Sequence, residues 1–90
     1  MGTALIKLKI MPENLDTDLE SIKQAGKIEI EKIGGEVTKY EEQPIAFGLN
    51  ALIAFTRLDE SKQGDIIEEA FKSIPGVSSV DVIDYRRAIE

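Results

Sequence analysis

Three groups of side chains in this sequence could do chemistry. The first is a set of paired carboxylates, Asp16/Asp18, Glu41/Glu42, Glu68/Glu69 and Asp81/Asp84. Neighbouring carboxylates can divide general acid and base roles or hold a hard cation. All four pairs fall where the hydropathy pattern places solvent, so helix caps and solvated faces account for them. No Asp-x-Asp-x-Asp-Gly run is present, and Gly34-Gly35 lacks the Lys-Ser/Thr that completes a phosphate loop. The second group is Arg86-Arg87, adjacent guanidiniums suited to a carboxylate or a phosphate, or simply to guarding a sheet edge. The third is the connection Gln43-Pro44-Ile45-Ala46-Phe47-Gly48. Pro44 brings no N–H and Gly48 tolerates backbone angles closed to other residues, so plain strand is not expected here. Ile45 and Phe47 stand where a turn usually carries Asn, Asp or Ser. An apolar tip of this kind either tucks into the core or is shown to a partner as a hydrophobic anchor.

The elements that position these groups follow from periodicity. Thr3 to Met11 alternates with Ala4, Ile6, Leu8 and Ile10 on one face, the pattern of a half-buried strand ended by Pro12-Glu13-Asn14. Asp16 or Asp18 can cap a helix whose stripe is Leu19, Ile22, Gly26, Ile30 and Ile33, terminated at Gly34-Gly35. Gly26 weakens that helix by ~1 kcal/mol relative to Ala unless it allows close packing on the sheet. Glu36 to Glu42 reads as an edge strand charged on both faces, and Leu49 to Phe55 as a central strand apolar on both. Arg57 to Gly64 reads as a loop. A second helix starts between Ser61 and Asp65, buries Ile66, Ile67, Ala70, Phe71 and Ile74, and stops at Pro75-Gly76. Val77 to Arg87 is a last strand that alternates, Val80 and Val82 against Asp81, Ile83 and Tyr85. The order βαββαβ predicts an α+β, ferredoxin-like split βαβ sandwich: a four-stranded antiparallel sheet with two helices on one face. The first and third strands are expected at its centre, side by side and parallel, with the second and fourth at the edges.

Ninety residues make one domain, 1–90, with 42% hydrophobic and 31% charged residues, as in a globular chain. With neither His nor Cys, disulfides, thiolate nucleophiles, the common zinc sites and imidazole catalysis all drop out. A net charge of −6 argues against binding phosphate backbones unless the cations gather on one face. No apolar run approaches the ~20 residues of a spanning helix, so no membrane association is expected and the location expected is cytoplasmic.

Pro44-Ile45-Ala46-Phe47-Gly48-Leu49 with Ala51-Leu52, Gly76-Val77-Ser78-Ser79-Val80-Asp81-Val82 and the closing Arg86-Arg87 together resemble the archaeal form of elongation factor 1-beta. The resemblance covers essentially the whole chain, including Met11-Pro12. It implies a guanine-nucleotide exchange factor for the GTPase elongation factor 1-alpha, with the ferredoxin-like fold, no covalent chemistry and no cofactor. It also implies partner-binding roles for Pro44, Ile45, Phe47, Gly48, Arg86 and Arg87. Phe47 takes the position of a loop phenylalanine that contacts the GTPase. Arg87 takes that of a basic residue, lysine in the eukaryotic relatives, that approaches the partner's magnesium and phosphate loop; Arg86 is the other candidate. The rival is a ferredoxin-like module that binds a small molecule in a pocket lined by the Pro44 to Gly48 loop. An RNA-binding sheet would need more than Phe55 with Lys7 and Lys9.

Overall fold

The computed structural model describes residues 2–62 and 64–88, Ala88 as backbone only; Met1, Gln63, Ile89 and Glu90 of the expected 1–90 domain lie outside the described residues. The elements run β1 (Thr3–Pro12), α1 (Leu19–Lys32), β2 (Glu36–Pro44), a 3₁₀ turn (Ala46–Gly48), β3 (Asn50–Asp59), α2 (Asp65–Lys72) and β4 (Val77–Ala88). The four strands form one sheet in the order β2-β3-β1-β4, with every neighbouring pair antiparallel. This is the ferredoxin-like α+β sandwich. In β1, Ala4, Ile6, Leu8 and Ile10 are buried, and they sit opposite Leu58, Thr56, Ala54 and Leu52 of β3. Thr56 brings a hydroxyl into this layer and donates it to the Ile6 carbonyl at 2.8 Å, so its burial leaves no orphan group.

Helix α1 starts at Asp18, whose carboxylate accepts from the Glu20 N–H at 3.0 Å. Its far end is closed by Gly34, at φ +88°, with the Gly34 and Gly35 N–H groups donating to Glu31 and Ile30 carbonyls. Gly26 is buried, and a Cβ there would lie 2.5 Å from both Phe71 Cε1 and Tyr40 Oη. The glycine therefore lets α1 close onto α2 and β2. Tyr40 uses that proximity to donate its hydroxyl to the Lys23 carbonyl at 2.9 Å, and desolvation pushes its pKa up to about 12.

Four sequence expectations need correction. β1 and β3 are central neighbours, but antiparallel rather than parallel. The crossover from β1 to β2 leaves a gap, and β3 enters it from a hairpin with β2, which reverses its direction. β3 also runs to Asp59, so the loop expected over 57–64 begins only at Glu60. Leu58 supplies the reason: it enters the core at 2% exposure while Arg57 and Asp59 point away. β2 extends to Pro44, which pairs with Asn50 at the tip of an edge strand, where a missing N–H is tolerated. Finally, β4 does not alternate cleanly. Val82 pairs with Leu8 and Asp84 with Lys7, so Ile83 is a bulge residue, and beyond it the faces change parity.

Candidate functional site

The six residues singled out in the sequence fall into two groups at opposite ends of the sheet. Pro44 pairs with Asn50 at one end, and Arg87 pairs with Ala4, itself opposite Leu58, at the other. From Asn50 to Leu58 β3 spans ~26 Å at about 3.3 Å per residue. The molecule is 42 Å long, and the two groups use most of that length.

The first group is a tight reversal between β2 and β3. The Ile45 N–H donates to the Leu49 carbonyl at 2.8 Å and the Leu49 N–H to the Ala46 carbonyl at 3.3 Å. Between them the chain turns through two left-handed residues, Phe47 at φ 61°, ψ 29° and Gly48 at φ +79°. Gly48 adopts that region freely; Phe47 does not, and a bulky residue held there stores ~1–3 kcal/mol. Phe47 is also 93% exposed, while Ile45 is half-buried. The choice between a core plug and a presented anchor is thereby settled in favour of an outward tip. A small recess of about 60 Å³ separates this turn from the β1–α1 loop. Sites for small molecules occupy ~300–1,000 Å³, so the ligand pocket required by the rival reading is not formed there.

Leu15, in the β1–α1 loop, was missed in the sequence. It is 66% exposed, and a Cβ placed on Gly48 would lie 3.5 Å from its Cδ2. The available signal was one large apolar residue among Glu13, Asn14, Asp16 and Thr17.

At the other end the β4 bulge decides where each arginine goes. Arg86 shares a face with Leu5 on the side away from the helices, and its Nε donates to Asp84 Oδ2 at 2.9 Å. Arg87 shares the helix-side face with Ala4, and its Nε lies 3.1 Å from Glu60 Oε2. Both guanidiniums are exposed, and surface pairs of this kind contribute ~0–1 kcal/mol, so either can be exchanged for another anion. Nearby, the Ser61 N–H hydrogen bond holds the Asp59 carboxyl below its ordinary pKa.

The open face of the sheet carries a broad depression of about 550 Å³ lined by Leu5, Lys7, Phe55, Arg57, Asp84 and Arg86 among others. Lys7 and Lys39 approach the Phe55 ring at 5.0 and 4.5 Å from its centroid. Cations do gather here, but Arg86 faces Asp84, Lys39 faces Glu41, and Arg57 lies 3.9 Å from Glu36. The face is close to self-neutralised. Among the described residues no group of three acidic, His or Cys side chains could hold a metal ion.

The sheet thus carries an exposed apolar tip at one end and exposed arginines at the other. Among known families, residues 5–88 match the EF-1 guanine nucleotide exchange domain. The chain belongs to that family and is a guanine-nucleotide exchange domain. It is similar to the elongation factor 1-beta of Methanothermobacter thermautotrophicus, at 40% identity over 97% of this chain and 98% of the relative. It is likewise similar to that of Methanosarcina barkeri, at 41% identity over 97% and 99%. No helix among the described residues is long and apolar enough to cross a membrane.

Proposed function

We propose that the chain works as one cytoplasmic exchange domain that docks on elongation factor 1-alpha through Phe47 and drives GDP release through Arg87, without covalent chemistry, a cofactor or nucleic-acid contact. A GTPase holds its nucleotide by a phosphate loop and a magnesium ion bridging phosphate oxygens. A factor that disturbs that attachment promotes release only by binding the nucleotide-free state more tightly than the loaded one, and each ~1.4 kcal/mol of difference is about tenfold. Phe47, with Ile45 and the Pro44 and Gly48 breakers shaping its turn, enters an apolar groove. Arg87 leaves Glu60 and carries its charge to the magnesium and phosphate-loop region, weakening the hold on GDP. Arg86 stays with Asp84 on the other face and plays the lesser part.

The observation that carries this reading is the Phe47 backbone. A left-handed, almost fully exposed phenylalanine is unfavourable for the free protein on both counts, which fits a side chain retained for a partner. The test is release of a fluorescent GDP analogue from elongation factor 1-alpha on adding the protein. Acceleration that depends on protein concentration supports the proposal; release at the intrinsic rate, with the chain folded, overturns it.

A further inference from the structure

The structure assigns Leu15 as a second anchor of the docking surface, an inference that rests on the reading of Phe47 above. Of the exposed large apolar residues among those described, Phe47 and Leu15 are the two most exposed, and Leu15 faces Gly48, the residue after Phe47, across the 60 Å³ recess at the same end. Neither contributes to the hydrophobic core.

The loop that carries Leu15 is held as firmly as the turn that carries Phe47. Asn14 Oδ1 accepts from the Asp16 N–H at 2.9 Å and from the Thr17 hydroxyl at 3.3 Å. The Asn14 N–H donates to Thr17 Oγ1 at 3.2 Å, and the Glu13 N–H donates to the Gly76 carbonyl at 2.9 Å, fastening the loop to the segment that precedes β4. Leu15 projects from the middle of this network. A rigid loop with an apolar residue at its apex loses little entropy when that residue is buried by a partner, which makes it an efficient contact.

Charge defines the complementary surface. The three segments that meet at this end, 10–22, 43–52 and 73–80, contain no Lys or Arg, the neighbouring Lys23 is paired with Glu20 and Glu42, and Glu13, Asp16 and Asp18 flank Leu15. The partner surface is therefore an apolar recess wide enough for two adjacent side chains and bordered by lysines or arginines. Continuity with Phe47 makes that partner the same GTPase, contacted in one patch by both loops.

The experiment measures binding of nucleotide-free elongation factor 1-alpha to wild type, Leu15→Ala, Phe47→Ala, the double variant and Ile28→Ala, at low and high salt. Ile28 is an exposed apolar residue on α1 and serves as control. Leu15→Ala is expected to weaken binding about five- to thirtyfold with unchanged thermal unfolding. The double variant loses less than the product of the single losses, because the two side chains share a recess. Wild-type binding weakens as salt rises, while Ile28→Ala binds as wild type. If Phe47→Ala weakens binding and Leu15→Ala does not, the second anchor is refuted and the exchange reading stands. If wild type does not bind, the exchange reading fails and this inference fails with it.

Discussion

The end that carries Phe47 and Leu15 and the end that carries Arg86 and Arg87 are built on opposite principles. At the first, two short connections are locked by backbone and Asx-type hydrogen bonds, the exposed groups are apolar, and cations are absent from the contributing segments. At the second, the exposed groups are charged and joined only by surface pairs such as Arg87 with Glu60. A rigid apolar tip fixes where a partner binds, because little freedom is lost on contact. A guanidinium on a long side chain with a weakly held counter-ion can move to a new anion once the partner is in place. In the proposed division of labour, the sheet between the ends links the two events by holding the arginine at a set distance from the anchor.

The most severe way to break that comparison is to disturb the spacer itself. Gly26→Ala drives a Cβ into Phe71 and Tyr40, and overpacking of this kind destabilises by ~1–3 kcal/mol. Urea unfolding will show a lowered midpoint, with exchange by the remaining folded fraction near normal. A subtler change separates shape from contact at the anchor. Phe47→Gly relieves the left-handed strain, so stability is expected to hold or rise by up to ~1 kcal/mol while exchange falls at least tenfold. Loss of stability in Phe47→Gly would show that the side chain supports the fold.

The remaining two predictions concern charge. Glu60→Gln releases Arg87 from its partner, and initial exchange rates are expected to rise, by less than about fivefold, the ceiling set by a surface pair. An unchanged or lower rate would mean that Glu60 positions Arg87 rather than competes for it. Tyr40 ties β2 to α1 and is held neutral in the fold, with its pKa raised to about 12. The unfolded chain sheds that proton near pH 10, so the associated stability is complete below pH 10 and declines between about pH 10 and 12. Unfolding followed across this window will show a shallower decline in Tyr40→Phe.

Much of this organisation was legible in the residues. Alternation in β1, the glycine pair after α1 and the Pro75-Gly76 stop gave the element order, and the proposed Phe47 contact lay in a segment that broke local rules. The misses share a physical cause, since each depended on a neighbour remote in sequence. A single buried Leu58 extends β3 through a stretch that reads as polar loop. The bulge at Ile83, visible only when β4 lies against β1, puts Arg86 and Arg87 on their respective faces. Leu15 gains significance only from standing beside Gly48, the residue after Phe47 and more than thirty residues later in the chain.

Dividing exchange into docking and displacement is tested most directly by the rate of GDP release from elongation factor 1-alpha as a function of exchange-domain concentration. Wild type, Phe47→Ala and Arg87→Ala are each taken to saturation. Phe47→Ala is expected to raise the half-saturating concentration at least tenfold and leave the maximal rate within about twofold. Arg87→Ala is expected to lower the maximal rate about tenfold and leave half-saturation near wild type. If both variants change the same parameter, or if the two effects are exchanged, the division of labour between the two ends is wrong.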